Sequence, residues 1–196
     1  MAQARVKARR LSFGGERFAV FAECLLTGVW IAVASLGVVT YPAAFAAGAR
    51  HLRRRIRHEA GGWREFGADF RTALRRGWVV GLAGWAVAGA VWVDVLAARA
   101  GVPGGPFVGA VGLFALIAVV VALLRAAAVW TPGDSWRALL SDAGRRTLLD
   151  PAGSFLIVGG LGVVALSAAF VAPLAVPVLG AVAAAALAVE ERYRHR

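Results

Sequence analysis

The sequence is poor in the residues that build catalytic and metal sites. Its 196 residues include one cysteine, three histidines and eleven acidic residues. The single cysteine, Cys24, excludes an internal disulfide and a multi-cysteine metal site. No serine has the glycine-flanked setting of a hydrolase nucleophile, and Gly101, Gly104 and Gly105 lack the lysine of a phosphate-binding loop. The sequence therefore predicts no enzymatic activity, no cofactor and no metal site.

Apolar residues are abundant instead. Hydrophobic residues make up 60% of the chain and charged residues 17%, and the mean hydropathy is +0.70. A soluble domain of this length needs more polar surface than these residues supply. The apolar blocks are continuous, whereas strands of a membrane barrel alternate apolar and polar residues. The sequence thus predicts an all-α protein, a polytopic bundle of transmembrane helices.

Five apolar blocks are long enough to cross a bilayer, because about 20 helical residues match its hydrocarbon thickness. These predicted spans are residues 18–40, 78–98, 107–130, 154–171 and 174–189 of a single domain covering 1–196. Within the segment 50–76, the residues from Trp63 to Leu74 place aromatic and apolar side chains on one helical face and arginines mainly elsewhere, and the segment 135–149 has a similar pattern. They are predicted to be two cytoplasmic amphipathic helices. Pro42 ends the first span, and a short helix is expected to begin there.

The net charge of +11 is distributed as in a membrane protein. Nine of the 22 basic residues lie between Arg50 and Arg76, and most others flank apolar blocks. Membrane lipids are therefore the predicted counter-charge, and nucleic acid is not a predicted partner. Within this stretch the candidates for contact with lipid headgroups or a protein partner are Arg53, Arg54, Arg55 and Arg57.

The basic segments also predict the orientation, since short arginine-rich loops stay on the cytoplasmic side. Residues 50–76 and 135–149 are then inside, and five spans place the N-terminus outside. Five basic side chains before Phe18 conflict with that placement. The alternative is a hairpin over 18–49, bent at Pro42, that enters and returns and gives six membrane segments. The five-span arrangement is preferred.

Ionisable side chains within predicted spans are candidate functional sites because they are costly in lipid. They are Glu23, Asp94 and Arg125, all near a span end, where anchoring at the interface is the simpler interpretation. With the N-terminus outside, Glu23 and Asp94 reach a similar depth and would form a polar membrane site for a cation or sugar hydroxyls. The histidines lie in basic segments and are expected to be solvated: His51, His58 and His195.

Several short motifs occur along the chain. They are Trp30 in the first span, the passage from Thr40 through Pro42 and the basic segment after it, the aromatic pair Phe66 and Phe70, and Asp94. In these motifs, and in the layout of most of the chain, the sequence resembles the YesL family of bacterial integral membrane proteins, whose domain has no assigned activity.

The resemblance implies a multi-pass protein of the bacterial plasma membrane. Family members tend to be encoded beside carbohydrate ABC transporters, so it also implies an accessory role in sugar import, with a sugar-import permease as partner. The alternative is a small stand-alone transporter or channel-like protein, alone or as a homo-oligomer, with a polar path along Glu23 and Asp94.

Overall fold

The computed structural model describes residues 21–59 and 61–194. The helices are α1 (Phe21–Gly37, ending in a 3-10 turn), α2 (Tyr41–Ile56), α3 (Trp63–Arg99), α4 (Gly105–Val129), α5 (Trp136–Leu149), α6 (Pro151–Phe170) and α7 (Ala172–Arg194). These residues contain no strand, which confirms the predicted all-α class. Three of the helices, α3, α4 and α6, are long and apolar enough to cross a membrane.

Six helix termini meet at one end of the bundle, which we call the basic end. Here α1, α3 and α6 begin and α2, α4 and α7 end. The contacts that bring them together are Glu23 with Arg55, Arg54 with Asp69, Arg53 with the carbonyl of Ala128, and Arg125 with Asp150 and Glu190. Arg99, at the C-terminus of α3, is the described arginine that lies at the opposite end.

The α1–α2 pair is a hairpin that stops halfway along the bundle. Its tip packs on the middle of α3, where a Cβ on Gly81 would overlap the carbonyl of Val39. The indole N–H of Trp85 donates a hydrogen bond of 2.9 Å to the carbonyl of Val38. Because α1 begins and α2 ends at the basic end, residues 21–56 form a helical hairpin bent near Pro42. The preferred five-span count is not confirmed.

Small residues allow α2 to occupy the centre of the bundle. The residues from Pro42 to Ala49 are all buried, and α1, α3, α4 and α7 pack around them. Pro42 lies in the first turn of α2, where a backbone N–H has no intrahelical acceptor, so the missing N–H of proline costs no hydrogen bond. The predicted helix that starts at Pro42 is thus present.

The two predicted amphipathic segments differ in outcome. Residues 135–149 correspond to α5. Residues 50–76 comprise the end of α2 and the first part of α3, and the amphipathic stretch from Trp63 to Leu74 lies in α3. No proline interrupts 63–99, so α3 runs without a break from the basic segment into the predicted span 78–98.

The polarity of the bundle suits a lipid environment. Large apolar side chains are exposed on the outside of α3, α4 and α6, among them Trp92, Phe107, Phe114, Phe155 and Phe170. Several charged side chains are buried inside instead, including Arg125, Asp150 and Glu190. Lipid tails cover apolar surface without cost, whereas polar groups in a membrane must find partners within the protein.

Candidate functional site

A cluster of four charged side chains, the Arg125 cluster, joins α4, α5, α6 and α7 at the basic end. It consists of Arg125, Arg146, Asp150 and Glu190, and all four are buried. One guanidinium nitrogen of Arg125 is 3.0 Å from a carboxylate oxygen of Asp150, and another is 3.5 Å from Glu190. Arg146 pairs with the second oxygen of Glu190. The cluster thus holds two cations and two anions in contact.

The main chain completes this cluster. Arg125 also donates to the carbonyl oxygens of Asp150 (3.2 Å) and Arg146 (3.4 Å). Asp150 is the N-cap of α6, and its carboxylate accepts the backbone N–H of Gly153 at 3.2 Å. The sequence interpretation of Arg125 as a side chain that reaches the interface is wrong, because the guanidinium is fully buried among these acceptors. The cluster connects the helix ends.

Burial and charge shift the two carboxylates in opposite directions. Burial raises the pKa of Asp150, but hydrogen bonds from Arg125 and Gly153 and the charge of Arg125 outweigh it, so the pKa of Asp150 lies below its ordinary value. Burial raises the pKa of Glu190, and the charges of Arg146 and Arg125 offset this only in part. Asp150 is therefore the firmly ionised carboxylate of the cluster.

A second group, the His51 cluster, closes the base of the hairpin. His51 is fully buried, and its Nε2 lies 2.9 Å from a carboxylate oxygen of Glu23. Arg55 donates to both oxygens of Glu23, at 2.9 and 3.0 Å. The ring of Trp30 packs edge to face against the imidazole of His51, with ring centroids 4.9 Å apart. The ring centroid of Phe66 lies 5.4 Å from that of Trp30. The prediction that His51 is solvated is wrong, since α2 turns it into the bundle.

The other two histidines have different outcomes. His58 is exposed, as expected for a residue of the basic segment. His195 lies outside the described residues. The described residues contain no group of three or more histidine, cysteine or acidic side chains that would hold a metal ion.

The four arginines singled out in the basic segment have different surroundings. Arg53 donates to the carbonyls of Ala128 and Trp130 at the end of α4. Arg54 pairs with Asp69 at 2.9 Å, and Arg55 pairs with Glu23. Arg57 is exposed. Three of the four side chains thus make contacts within the chain.

Glu23 and Asp94 are not brought together. Glu23 is at the basic end, in the His51 cluster with Phe66 close by. Asp94 lies beside Gly112 in the other half of α3. The helical rise from Phe66 to Asp94 is about 42 Å. The predicted polar site shared by both carboxylates is therefore wrong, because α1 starts at the basic end and not at the opposite one.

Five of the residues that resemble the YesL motifs lie at the two ends of the hairpin, whereas Asp94 lies in the other half of α3. Trp30, Phe66 and Phe70 form an aromatic row at its base, with 6.5 Å between the last two ring centroids. Thr40 and Pro42 lie at its tip, where the Thr40 hydroxyl donates to the carbonyl of Ala34 at 2.6 Å. These five residues thus lie at the base and at the tip of the hairpin.

An apolar cavity lies beside the hairpin tip. Its volume is about 280 Å³. Side chains of α1, α2, α4, α6 and α7 line it, with Ser35 and Tyr41 as its hydroxyl-bearing residues. The charged groups of both clusters lie nearer the basic end, so this cavity does not extend them into a polar path.

Sequence reasoning missed most partners in these clusters. None of Arg146, Asp150 and Glu190 stood out in the sequence as a candidate site residue. Arg146 lies 21 positions and Glu190 65 positions from Arg125 along the chain. Comparisons with protein-family models, with curated proteins and with solved structures found no match to this chain.

Proposed function

We propose that this chain is a multi-pass membrane protein that binds another membrane protein through its cytoplasmic, basic end. The observation that carries the proposal is the separation of polar and apolar parts. In the described residues the buried ion pairs gather at the basic end, and the cavity midway along the bundle is apolar. This separation favours a binding protein over a stand-alone transporter, which needs polar groups along its length.

The spacing of residues on α3 supports its placement across a bilayer. Arg71 and Arg99 are exposed and about 42 Å apart along the helix, close to the 40–45 Å of a bilayer with its headgroups. Trp78 and Trp92 are exposed between them, about 21 Å apart, near the two interfaces that tryptophan prefers. Trp85 lies at the centre, where its N–H has the Val38 carbonyl as acceptor.

In this placement the chain crosses with α3, α4, α6 and α7, and α1–α2 is a re-entrant hairpin. Both described chain ends then lie on the cytoplasmic side with the arginines, in agreement with the positive-inside rule. The irregular tip at 38–40 is tolerated in mid-bilayer because α3 covers it.

The resemblance to the YesL family supplies the identity of the proposed partner. It points to a sugar-import permease of the bacterial plasma membrane. Exposed arginines of the basic end that lie outside the two clusters, such as Arg57 and Arg64, are the proposed contact residues.

Co-purification in mild detergent tests this function. We expect the wild-type chain to retain a stoichiometric permease subunit, and Arg57→Glu with Arg64→Glu to lose it. Arg99→Glu, at the opposite end of α3, is the matched control and should retain the partner. A pure homo-oligomer that moves sugar or ions in liposomes would instead establish the stand-alone transporter.

A further inference from the structure

A groove between α3, α4 and α5 combines two arginines with a long apolar wall. Its volume is about 450 Å³. Arg76 and Arg137 lie at the end nearest α5, and Val79, Val80 and Ala83 continue along α3 as far as Val87. Val119 and Leu123 of α4 form the facing wall. The lining surface is almost entirely apolar, and Arg76 and Arg137 are the charged residues that border it.

The position of α5 creates this arrangement. The indole N–H of Trp136 donates to the carbonyl of Ala73 at 3.2 Å. The same ring lies against Gly77 of α3, where a Cβ would be in van der Waals contact with it at 3.4 Å. Arg137 follows Trp136 directly, so the anchored tryptophan holds it at the groove on the side of Arg76.

Neither arginine has a carboxylate partner within the described part of the chain. Arg76 and Arg137 are exposed and enter no ion pair there, unlike Arg54, Arg55, Arg125 and Arg146. Arginine binds phosphate oxygens with two parallel N–H donors. The charged end of the groove is thus complementary to a phosphate group.

The length and depth of the groove fit an acyl chain. From Arg76 to Val87 the rise of α3 is about 16 Å, roughly half of the hydrocarbon thickness. In the proposed placement, Arg76 lies at the cytoplasmic headgroups and Val87 near the middle of the bilayer. The groove then follows one leaflet from headgroup to chain end.

We infer that this groove binds one anionic glycerophospholipid, with its phosphate between Arg76 and Arg137 and one acyl chain along Val80 and Val119. The inference rests on the proposed orientation in the membrane and is independent of the protein partner. A lipid bound there would hold α5 against α3 and α4.

Native mass spectrometry of the purified full chain in mild detergent tests the site. We expect phosphatidylglycerol to bind more tightly than phosphatidylcholine with the same acyl chains, and glycerol phosphate not to compete. Arg76→Gln with Arg137→Gln should weaken phosphatidylglycerol binding about 30-fold, the effect of two surface arginines near anionic lipid. Arg76→Lys with Arg137→Lys should retain most of it.

The matched control is Arg71→Gln with Arg145→Gln, which removes one exposed arginine from each of the same helices outside the groove. It should bind as wild type does. Ala83→Phe should fill the groove and weaken both lipids while both arginines remain. Equal losses in the groove and control pairs, unchanged binding in the groove pair, or competition by glycerol phosphate would each overturn the inference. Thermal midpoints of all variants establish that they are folded.

Discussion

Replacing Arg125 by methionine should be among the most damaging single changes in this protein. Methionine retains an unbranched, flexible side chain but removes the guanidinium that contacts Asp150, Glu190 and the carbonyl of Arg146. Both carboxylates are buried, with 4% and 3% of their side chains exposed. The variant therefore leaves buried negative charge with one cation fewer.

The magnitude follows from the cost of an uncompensated buried charge. Breaking a buried ion pair by removing one partner costs about 3–5 kcal/mol. Arg192, 3.5 Å from Asp150, and Arg146 on Glu190 retain part of the compensation, which favours the lower limit, about 3 kcal/mol. For a chain of this size that corresponds to a fall in Tm of roughly 6–12 °C.

Thermal unfolding of the detergent-solubilised protein measures this effect. The control variant is Arg145→Met, which replaces an exposed arginine on α5. Its Tm should differ from that of wild type by no more than about 1–2 °C. Adding Asp150→Asn to Arg125→Met should recover part of the loss, since it removes a stranded charge. A Tm for Arg125→Met equal to that of the control, or a double variant with fully additive losses, would refute the reasoning.

Three further predictions concern topology, packing and pH. Reporter fusions at the N-terminus and at Gly62 should both give a cytoplasmic signal and one at Gly104 an external signal, whereas an external N-terminus would restore the five-span model. Gly180→Ala should lower the free energy of unfolding by about 1–3 kcal/mol, because the added Cβ would overlap the carbonyl of Cys24 on α1. The control in the same thermal assay is Gly159→Ala, which should be neutral or stabilising because Gly159 faces open space. The folded-state pKa of Asp150 is lowered, so its carboxylate stabilises the fold above the unfolded-state pKa of about 4, and this contribution is lost as pH falls through the folded-state pKa. Wild type and Asp150→Asn should therefore differ most in Tm at pH 7, and the difference should shrink as pH falls below 4; a difference independent of pH would contradict the assignment.

The hairpin and the histidines illustrate where sequence reasoning succeeds and fails. Pro42 predicts a helix start because a proline in the first turn needs no N–H, and that is local chemistry. The length of 18–40 favours a full span, yet α1 ends at Gly37, and the residues that follow it pack on Gly81 of α3. His51 follows an arginine in a basic segment, and only the rotation of α2 toward Trp30 buries it.

The amino-acid sequence by itself determined the helical class, the membrane-length apolar helices and the gathering of arginines between them, because these depend on composition and on the 3.6-residue period within each segment. Tertiary structure alone decided the depth of the α1–α2 hairpin, the pairing of Arg125 with Asp150 and Glu190, and the separation of Glu23 from Asp94. These features depend on which helix faces pack together, and partners up to 65 positions apart leave no periodic signal in the chain.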